Sequence, residues 1–524
     1  MKERKKIYLC FIAGIILIYI GLLAILYYSE STDSNAMIRT FGDAFWYSIV
    51  TMTTVGYGDL IPVTPVGHAV GMIFLLLSAG IIVTMLGALI SFITSEGMPL
   101  LMLSLQRHKN WYYFADCEVE SDALAGNIYR EDPNALIIYG EKRSRRSEIP
   151  NYPCLYLSAP LDKVVAKKSD STKFKVFLMR ENDIGVNQRA IHLHKLPVDV
   201  YARTTNGYDK LSGNINFFHS YECCARQYWR SKPLCRHENT IVLIGFGKYG
   251  SSILERAILN NIISVEQHVA YHIFGDARGF LAVHDCLGEL FSMNEESRVK
   301  DSLVFHDEAW AENRVVLERA DRIIICEDDE KNGWSIFWTL NKYYRITGRI
   351  DLRSSWKVPD ISYFGANEDI YTPQQIIRTD LNKAAIMIND IFRRSVTYPT
   401  LSWDELDDFH RQSKIAAADH ILMKTRILLE DEEITMLTAD AVKKAYARYC
   451  ETKSSEAARE MYRKLDHMRW LRFYIFYNWK YGSYRDDTIR QHPMLCRYEE
   501  LTPEQKQERD AAWELMGNIY VEME

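Results

Sequence analysis

Two long uncharged stretches set the frame of this chain. Residues 7–28 run 22 positions, and residues 69–95 run 27, without Asp, Glu, Lys or Arg. A bilayer core of about 30 Å needs about 20 apolar residues at about 1.5 Å each, so either stretch predicts a membrane-spanning helix. The second exceeds one crossing and is expected to tilt or project out of the membrane. The first is too long for a signal-peptide core and has no small-residue cleavage site after it, which predicts a retained anchor. Two buried helices of a water-soluble core fit such uninterrupted apolar length poorly.

The polar flanks predict orientation. Lys2, Arg4, Lys5 and Lys6 precede the first stretch, and Arg107 and Lys109 follow the second. The segment between them holds only Arg39 against Glu30, Asp33, Asp43 and Asp59. Basic flanks stay inside, so both termini are expected in the cytoplasm. In the connecting segment, Thr40 followed three residues on by Asp43 resembles a capping box, and about three turns of apolar helix should follow, to near Thr51. That helix is too short to span and can only re-enter, lining a cavity or buried in protein. Thr64-Pro65 marks the next helix start. Between them lies "TMTTVGYGDLIPVTP", residues 51–65, poor as a helix and as a strand. Two glycines around one tyrosine make its backbone permissive, and the backbone is expected to do the work.

"TTVGYGD", residues 53–59, resembles the selectivity-filter signature of potassium channels. The resemblance covers roughly residues 40–95. It implies potassium ions held by the carbonyls of Thr54, Val55, Gly56 and Tyr57 and the Thr54 hydroxyl, with Gly58 and Asp59 completing the filter. The re-entrant helix would turn its negative C-terminal end toward the cavity. One loop cannot surround an ion, so the family pattern implies a homotetramer. No span carries an arginine ladder, which argues against a voltage sensor of the usual kind. Gly80 and Gly87 are either gating hinges or close-packing sites between helices.

More than 400 of the 524 residues remain. A net charge of −6 argues against a nucleic-acid partner. Ten cysteines in a reducing compartment are not expected to form disulfides. His219, Cys223, Cys224, Cys235 and His237 lie close in sequence, but their spacing fits no common zinc pattern, and ordinary packing is the expectation. The clearest motif follows a β-rich run at residues 240–244: Gly245-x-Gly247-Lys248-x-Gly250, a helical pattern, and a second β-like run ending in Asp276. Strand, glycine loop, helix, strand and acid is the dinucleotide-binding order. An adenine nucleotide or NAD(H) is the expected occupant, with Asp276 on the ribose; a tight turn with no ligand is the alternative. Further β-like runs at "SLVFH", "DRIIICED" and "RIDLRS" predict a parallel sheet with crossover helices. Residues 110–233 echo the same order, with strand-like runs in "NWYYFADC", "NALIIYGE", "FKVFLMREN" and "VDVYARTTN", but Asp116, Glu118 and Glu120 stand where glycines would and would repel a phosphate.

Two Rossmann-like units behind a potassium pore resemble the RCK domains, regulators of potassium conductance. The resemblance implies a cytosolic ring of eight units, two from each of four chains, that pulls the inner helices open. Residues 455–516, especially "YGSYRDDTIRQHPML", resemble the repeat domain of ryanodine receptors. That implies a fold, with no ryanodine-receptor pore present. His467, Arg469, Trp470, Trp479, Tyr481, Arg485, Asp486, Asp487, Arg490 and His492 cluster there, and are expected either to hold a small phosphorylated or nucleotide-like ligand or to form a small core with paired arginines.

The expected fold class is thus a multidomain membrane protein. Its parts are a two-span α-helical pore (1–98), two α/β Rossmann-like units (99–235 and 236–415) and a mainly α C-terminal domain (416–524). The expected function is a ligand-gated potassium channel of the cell membrane, not an enzyme. A non-conducting membrane receptor and a membrane-tethered NAD-dependent oxidoreductase are the alternatives, and no catalytic constellation supports the latter.

Overall fold

The computed structural model describes residues 2–94, 97–141, 150–157, 159–168, 173–205, 214–288, 301–394 and 400–523. They fall into two compact units, Met1–Leu105 and Gln106–Glu524.

The first unit holds helices α1 (Lys2–Glu30), α2 (Phe41–Met52), α3 (Pro65–Thr94) and α4 (Gly97–Leu105). The capping box forms: Thr40 Oγ1 accepts from the Asp43 amide at 3.1 Å, and Asp43 Oδ2 accepts from the Thr40 amide at 2.8 Å. Helix α3 starts at Pro65, as the Thr64-Pro65 pair predicts, and carries an apolar stretch, Pro65–Ser91, long enough to cross a membrane. Among the described residues, the apolar part of α1, Ile16–Glu30, is shorter than a full crossing. Ser95, the last residue of the second expected span, lies outside the described residues.

Leu23, Leu26, Ile38, Ala44, Val70 and Phe74 form a shared core for α1, α2 and α3. Tyr19 Oη meets Ser48 Oγ at 2.6 Å across α1 and α2. Glu30, fully buried at the end of α1, accepts from the Val63 and Thr64 amides at 3.0 Å and from the Thr64 hydroxyl at 2.6 Å. This carboxylate fastens the end of α1 to the start of α3. Leu76, Val83 and Met85 on α3 stay more than half exposed in the single chain.

The second unit begins with strands β1 (Asn110–Phe114), β2 (Ala135–Tyr139), β3 (Cys154–Tyr156), β4 (Phe174–Leu178), β5 (Asp199–Arg203) and β6 (Ile215–Phe218). Their order in the sheet is β3-β2-β1-β4-β5-β6, parallel throughout. Helices α5 (Val119–Glu131), α6 (Leu161–Val165), α7 (Asp183–Leu193) and α8 (Ser220–Ser231) accompany it. The pattern then repeats with β7 (Thr240–Ile244), β8 (Ala270–Phe274), β9 (Ser302–His306), β10 (Arg322–Ile325), β11 (Arg349–Arg353) and β12 (Ser362–Phe364), ordered β12-β11-β10-β7-β8-β9. Both sheets therefore reverse strand order beside their first strand, the doubly wound arrangement whose ligand crevice opens at that switch point. The apolar run of β7 follows from burial on both faces: Ile241 and Leu243 enter one core cluster, Val242 and Ile244 another.

With the second sheet go α9 (Lys248–Asn260), α10 (Arg278–Val283), α11 (Arg314–Arg319), α12 (Glu330–Tyr343), α13 (Asn367–Ile370), α14 (Pro373–Ile376) and α15 (Lys383–Arg394). The C-terminal region is helical: α16 (Asp408–Leu429), α17 (Ala439–Thr452), α18 (Glu456–Phe476), α19 (Pro503–Glu508) and α20 (Ala511–Met523), with one short pair, β13 (Lys480–Tyr481) and β14 (Gln491–His492). Two expected boundaries shift. The first unit extends to Leu105 rather than 98, because α4 packs on α3. The 415/416 boundary falls inside α16, an unbroken helix shared by the second sheet and the C-terminal region.

A buried charge network explains why α16 cannot be cut there. Asp419 on α16 accepts from Arg226 at 2.8 Å and Arg230 at 2.6 Å, both on α8. Fully buried Arg256 on α9 lies between Glu222 and Glu255 and donates to Gln412 at 2.8 Å. Three arginines meet three carboxylates, so the cluster is neutral. Burial alone would raise the Asp419 carboxyl, but Arg226 and Arg230 outweigh it and hold it at about 2. Removing one member leaves uncompensated buried charge, which typically costs about 3–5 kcal/mol. Asp419→Ala is accordingly expected to lower the unfolding free energy of the full-length protein by about that amount in denaturant titration. Because the folded carboxyl sits below its unfolded value, the Asp419 contribution is present at neutral pH and lost as pH falls from about 4 toward 2. Asp419→Ala should therefore flatten the acid limb of the stability curve.

Candidate functional site

The run after α2 has an alternating backbone. Thr54, Gly56 and Gly58 have φ of 59°, 58° and 74°, while Val55 and Tyr57 do not have positive φ. Alternating handedness turns successive peptide planes the same way, so carbonyls gather on one side instead of alternating as in a strand. The Val55 and Gly56 amides reach back to Val50 O at 3.1 and 3.3 Å, which draws the run from the last turn of α2. Nothing lies within 4 Å of a Cβ built on Gly56 or Gly58, so the demand for glycine is conformational and not steric.

Trp46 on α2 holds the run from behind. Its indole Nε1 donates to Asp59 at 2.9 Å, and its ring stacks on Tyr57 at 6.2 Å with planes 2° apart. Sequence reasoning had Asp59 and Tyr57 but missed Trp46, because a tryptophan one helix earlier carries no spacing signal. Helix α3 runs unbroken through Gly80 and Gly87, and neither position has an atom within 4 Å of a built Cβ in the single chain.

The glycine turn sits at the switch point of the second sheet. Gly245 has φ of 91°, and Gly250 lies against the Gly245 carbonyl, so a Cβ would collide at both. The turn opens on a cleft of about 720 Å³ shared with the first sheet's unit. Gly247, Lys248, Ser251 and Asp276 face Glu181, Asp183 and Tyr221 across it. The amides at the start of α9 are not free. Asp328, from the loop after β10, accepts from the Lys248 amide at 3.1 Å and the Tyr249 amide at 3.3 Å. Lys248 itself pairs with Glu181.

A nucleotide would find the tight turn, the space and the ribose-side acid it requires, but its phosphate position is held by Asp328. Asp276 pairs with Arg278 at 2.5 Å, and that hydrogen bond holds its carboxyl at about 2. Asp328 was not anticipated: "CEDDEKN" offers four adjacent acids, and pattern alone does not choose among them.

The first Rossmann-like sheet closes its own switch point in the opposite direction. Asp116, after β1, accepts from the Met179 and Arg180 amides at 3.0 and 2.9 Å beyond β4, and from the Ser121 hydroxyl at 2.5 Å. Burial raises its pKa despite these bonds. Glu118 pairs with Arg180 at 3.0 Å, and Glu120 with Arg203 at 3.1 Å. The acids that replace glycines here are thus satisfied within the unit.

The C-terminal candidates divide into two groups. His467, Arg469, Trp479 and His492 are buried; His467 Nε2 meets the Cys496 carbonyl at 2.9 Å, and Trp479 stacks on Phe409. Burial lowers both His467 and His492 to about 4. Trp470, partly buried, packs against Tyr474 and His492. The second group lies outward: Tyr481 is exposed, Arg485 pairs with Asp487 at 2.7 Å, Asp486 accepts from the Thr488 amide, and Arg490 donates to the Tyr477 carbonyl at 3.0 Å. Beside the buried group, Asp466 is approached by Arg469 at 3.4 Å, Lys424 at 3.6 Å and Arg509 at 3.9 Å. Arg509 also reaches Glu508 at 3.7 Å. Three cations against two acids leave one positive charge over. Burial pushes Lys424 down to about 8, with Asp466 opposing.

Helix α18 is wired to the glycine cleft. Arg472 pairs with Asp301 at 2.6 Å, both buried, beside β9. His284 Nδ1 meets the Phe476 carbonyl at 2.9 Å, and Asn478 Nδ2 donates to the Val283 carbonyl at 2.6 Å. Val283 and His284 also line the cleft.

Residues 14–95 match the ion-channel family model. A voltage-gated potassium channel of Aeropyrum pernix is 35% identical over 85 residues, 16% of this chain and 28% of that protein. Potassium voltage-gated channel subfamily A member 2 of Oncorhynchus mykiss is 29% identical over 124 residues, 23% of this chain and 22% of that protein. The chain thus spans about a quarter of the length of these curated relatives. The solved GsuK channel aligns with 72% of this chain and 99% of its own, at 13% identity and a TM-score of 0.42. The segment 14–95 is thus similar to the ion-channel family, and the curated relatives named above are potassium channels, not enzymes.

Two outcomes follow from this geometry. Gly58→Ala places a Cβ where φ is 74°, at a cost of about 1–2 kcal/mol. The substituted protein should assemble like the unaltered one, and any preference for potassium over sodium in bilayer recordings should be lost; a preference equal to that of the unaltered protein would show that Gly58 does not set it. In calorimetry with ADP, Asp328→Ala should bind at least about tenfold more tightly than the unaltered protein because two α9 amides become free, whereas Asp276→Ala should bind more weakly by the 1–3 kcal/mol of a charged hydrogen bond. Weaker binding by Asp328→Ala would mean that this carboxylate does not compete with the phosphates.

Proposed function

We propose that the chain is a potassium-selective channel of the cell membrane, assembled as a homotetramer with both termini in the cytoplasm and gated by ligands on its tandem Rossmann units. The alternating backbone of residues 54–58 carries this reading. It collects the Thr54, Val55, Gly56 and Tyr57 carbonyls toward one side, and four such runs around an axis replace the hydration shell of potassium ions. The exposed apolar side chains of α3 are suited to lipid and neighbouring copies.

The two sheets act in this reading as RCK domains, and four chains supply eight of them. An adenine nucleotide or NAD(H) in the Gly245–Gly247–Gly250 cleft is a competitor of Asp328, so its binding is coupled to a change in the loop after β10. The C-terminal region, which resembles the ryanodine-receptor repeat, is a second sensor. The surplus positive charge around Asp466, with Arg485 and Arg490 lying outward of it, favours an anionic, phosphorylated or nucleotide-like ligand in this region. The contacts of Phe476 and Asn478 with the cleft wall give that sensor a route to the second sheet. Four sites each with about tenfold preference for one state shift the pore by about 5.5 kcal/mol, enough to pass from about 1:99 to 99:1.

The test is flux into liposomes holding the purified full-length protein. Potassium uptake should exceed sodium uptake, and the nucleotide fraction of a cell extract should change the open probability in single-channel recording. Arg485→Ala with Arg490→Ala should reduce that response without changing selectivity. No potassium flux would favour the non-conducting receptor, and an unchanged response in the double variant would leave the outward arginines outside the sensor.

A further inference from the structure

The fold brings together three metal-ligating side chains that no channel function uses. Cys235 and His237 lie in the connector that leads into β7, and Glu432 lies 195 positions beyond His237, in the segment after α16. The cysteine sulfur, a ring nitrogen of the histidine and a carboxylate oxygen of the glutamate all lie within 4.8 Å of one another. Cys235 and Glu432 are half-buried and His237 is exposed. His219, Cys223 and Cys224, their neighbours in sequence, go elsewhere: His219 caps α8, and the two cysteines sit on that helix. Sequence spacing failed to show a metal pattern because its third member comes from a distant segment.

Both backbones that carry the three ligands are held in place. The Arg236 amide donates to Glu432 Oε1 at 2.9 Å, which leaves the other carboxylate oxygen available. Arg426 on α16 donates to the Leu234 carbonyl at 3.1 Å and the Glu432 carbonyl at 2.5 Å, so one guanidinium spans both segments. The Cys235 amide donates to Glu238, whose carboxylate is in turn clasped by buried Arg322 at 2.6 Å. Gln267 donates to the Cys235 and Glu238 carbonyls at 3.0 and 2.8 Å. Such supported backbones are what a metal site needs, because the ligands do not have to be gathered at the moment of binding. The sulfur itself has only a long contact, 3.8 Å to the Pro233 carbonyl.

We propose that Cys235, His237 and Glu432 bind one zinc ion per chain and clamp the segment after α16 to the connector that enters the second sheet. One thiolate, one imidazole and one carboxylate suit zinc among the common divalent ions, and three protein ligands leave a fourth position for water. The ion displaces the Cys235 thiol proton. The clamp joins residues 195 positions apart and so stabilises the seating of the C-terminal helices on the sheet.

Cobalt provides the test because its spectrum reports its ligands. Full-length protein, stripped with chelator under reducing conditions and titrated with Co²⁺, should develop about one equivalent of a thiolate-to-cobalt charge-transfer band together with the intense d–d absorption of a tetrahedral site. Zinc should displace both and raise the thermal midpoint. Cys235→Ser should abolish the charge-transfer band, and His237→Ala and Glu432→Gln should weaken zinc binding at least about tenfold. His237 is exposed, so His237→Ala is expected to fold and serves as the structural control. No charge-transfer band in the unaltered protein, or the same band in Cys235→Ser, overturns the proposal. Zinc affinity unchanged in both His237→Ala and Glu432→Gln overturns it equally.

Discussion

Backbone groups that secondary structure leaves over must find a partner, and this chain is organised by where those partners come from. In the run after α2 the leftovers are carbonyls. The left-handed residues Thr54, Gly56 and Gly58 turn them out of any ladder, so they keep their capacity for a cation. In the two Rossmann units the leftovers are amides at the switch points, and carboxylates supply the partner. Asp116 reaches from β1 across to the amides beyond β4, and Asp328 reaches from β10 back to the amides that start α9. One duplicated architecture has closed the same gap from opposite sides.

That difference separates the two units in kind. Asp116 is almost fully buried and bonded three ways, so its unit has little to exchange with solvent and serves as a strut. Asp328 borders an open cleft, beside a glycine turn that retains the close backbone approach a phosphate requires. The large shared core, reaching from Phe114 in the first sheet through Ile241 in the second to Trp513 near the end, joins both units and the C-terminal helices without an internal seam. Movement at the cleft is therefore felt through a packed body and not across a linker.

Much of this was legible in the sequence, and what was not had a physical reason. The capping box at Thr40, the start of α3 at Pro65, the residues of β7 and the runs that became β1, β2, β4, β5, β8, β9, β10 and β11 all carry local signals, because propensity and period suffice for elements buried by their own pattern. The short edge strands β3, β6 and β12 were not found, since three or four residues with few buried positions leave no period to read. Helix α16 runs unbroken across 415, and its joining of α8 to the C-terminal helices shows only in the tertiary pairing of Asp419 with Arg226 and Arg230. The alternating run of residues 54–58 could be singled out because its residues are contiguous. In the cleft, Asp328 and Glu181 could not be, because they reach the glycine loop from segments about 80 and 65 positions away.

Helix α10 has the glycine cleft on one side and the end of α18 on the other, with Val283 and His284 belonging to both. A shared wall of this kind enforces reciprocity. If an occupant of the cleft moves that wall so as to favour a ligand of the C-terminal helices by some factor, the second ligand must favour the first by the same factor. The protein would then report the product of two concentrations more faithfully than either one, and its resting affinity for each would be set by the level of the other.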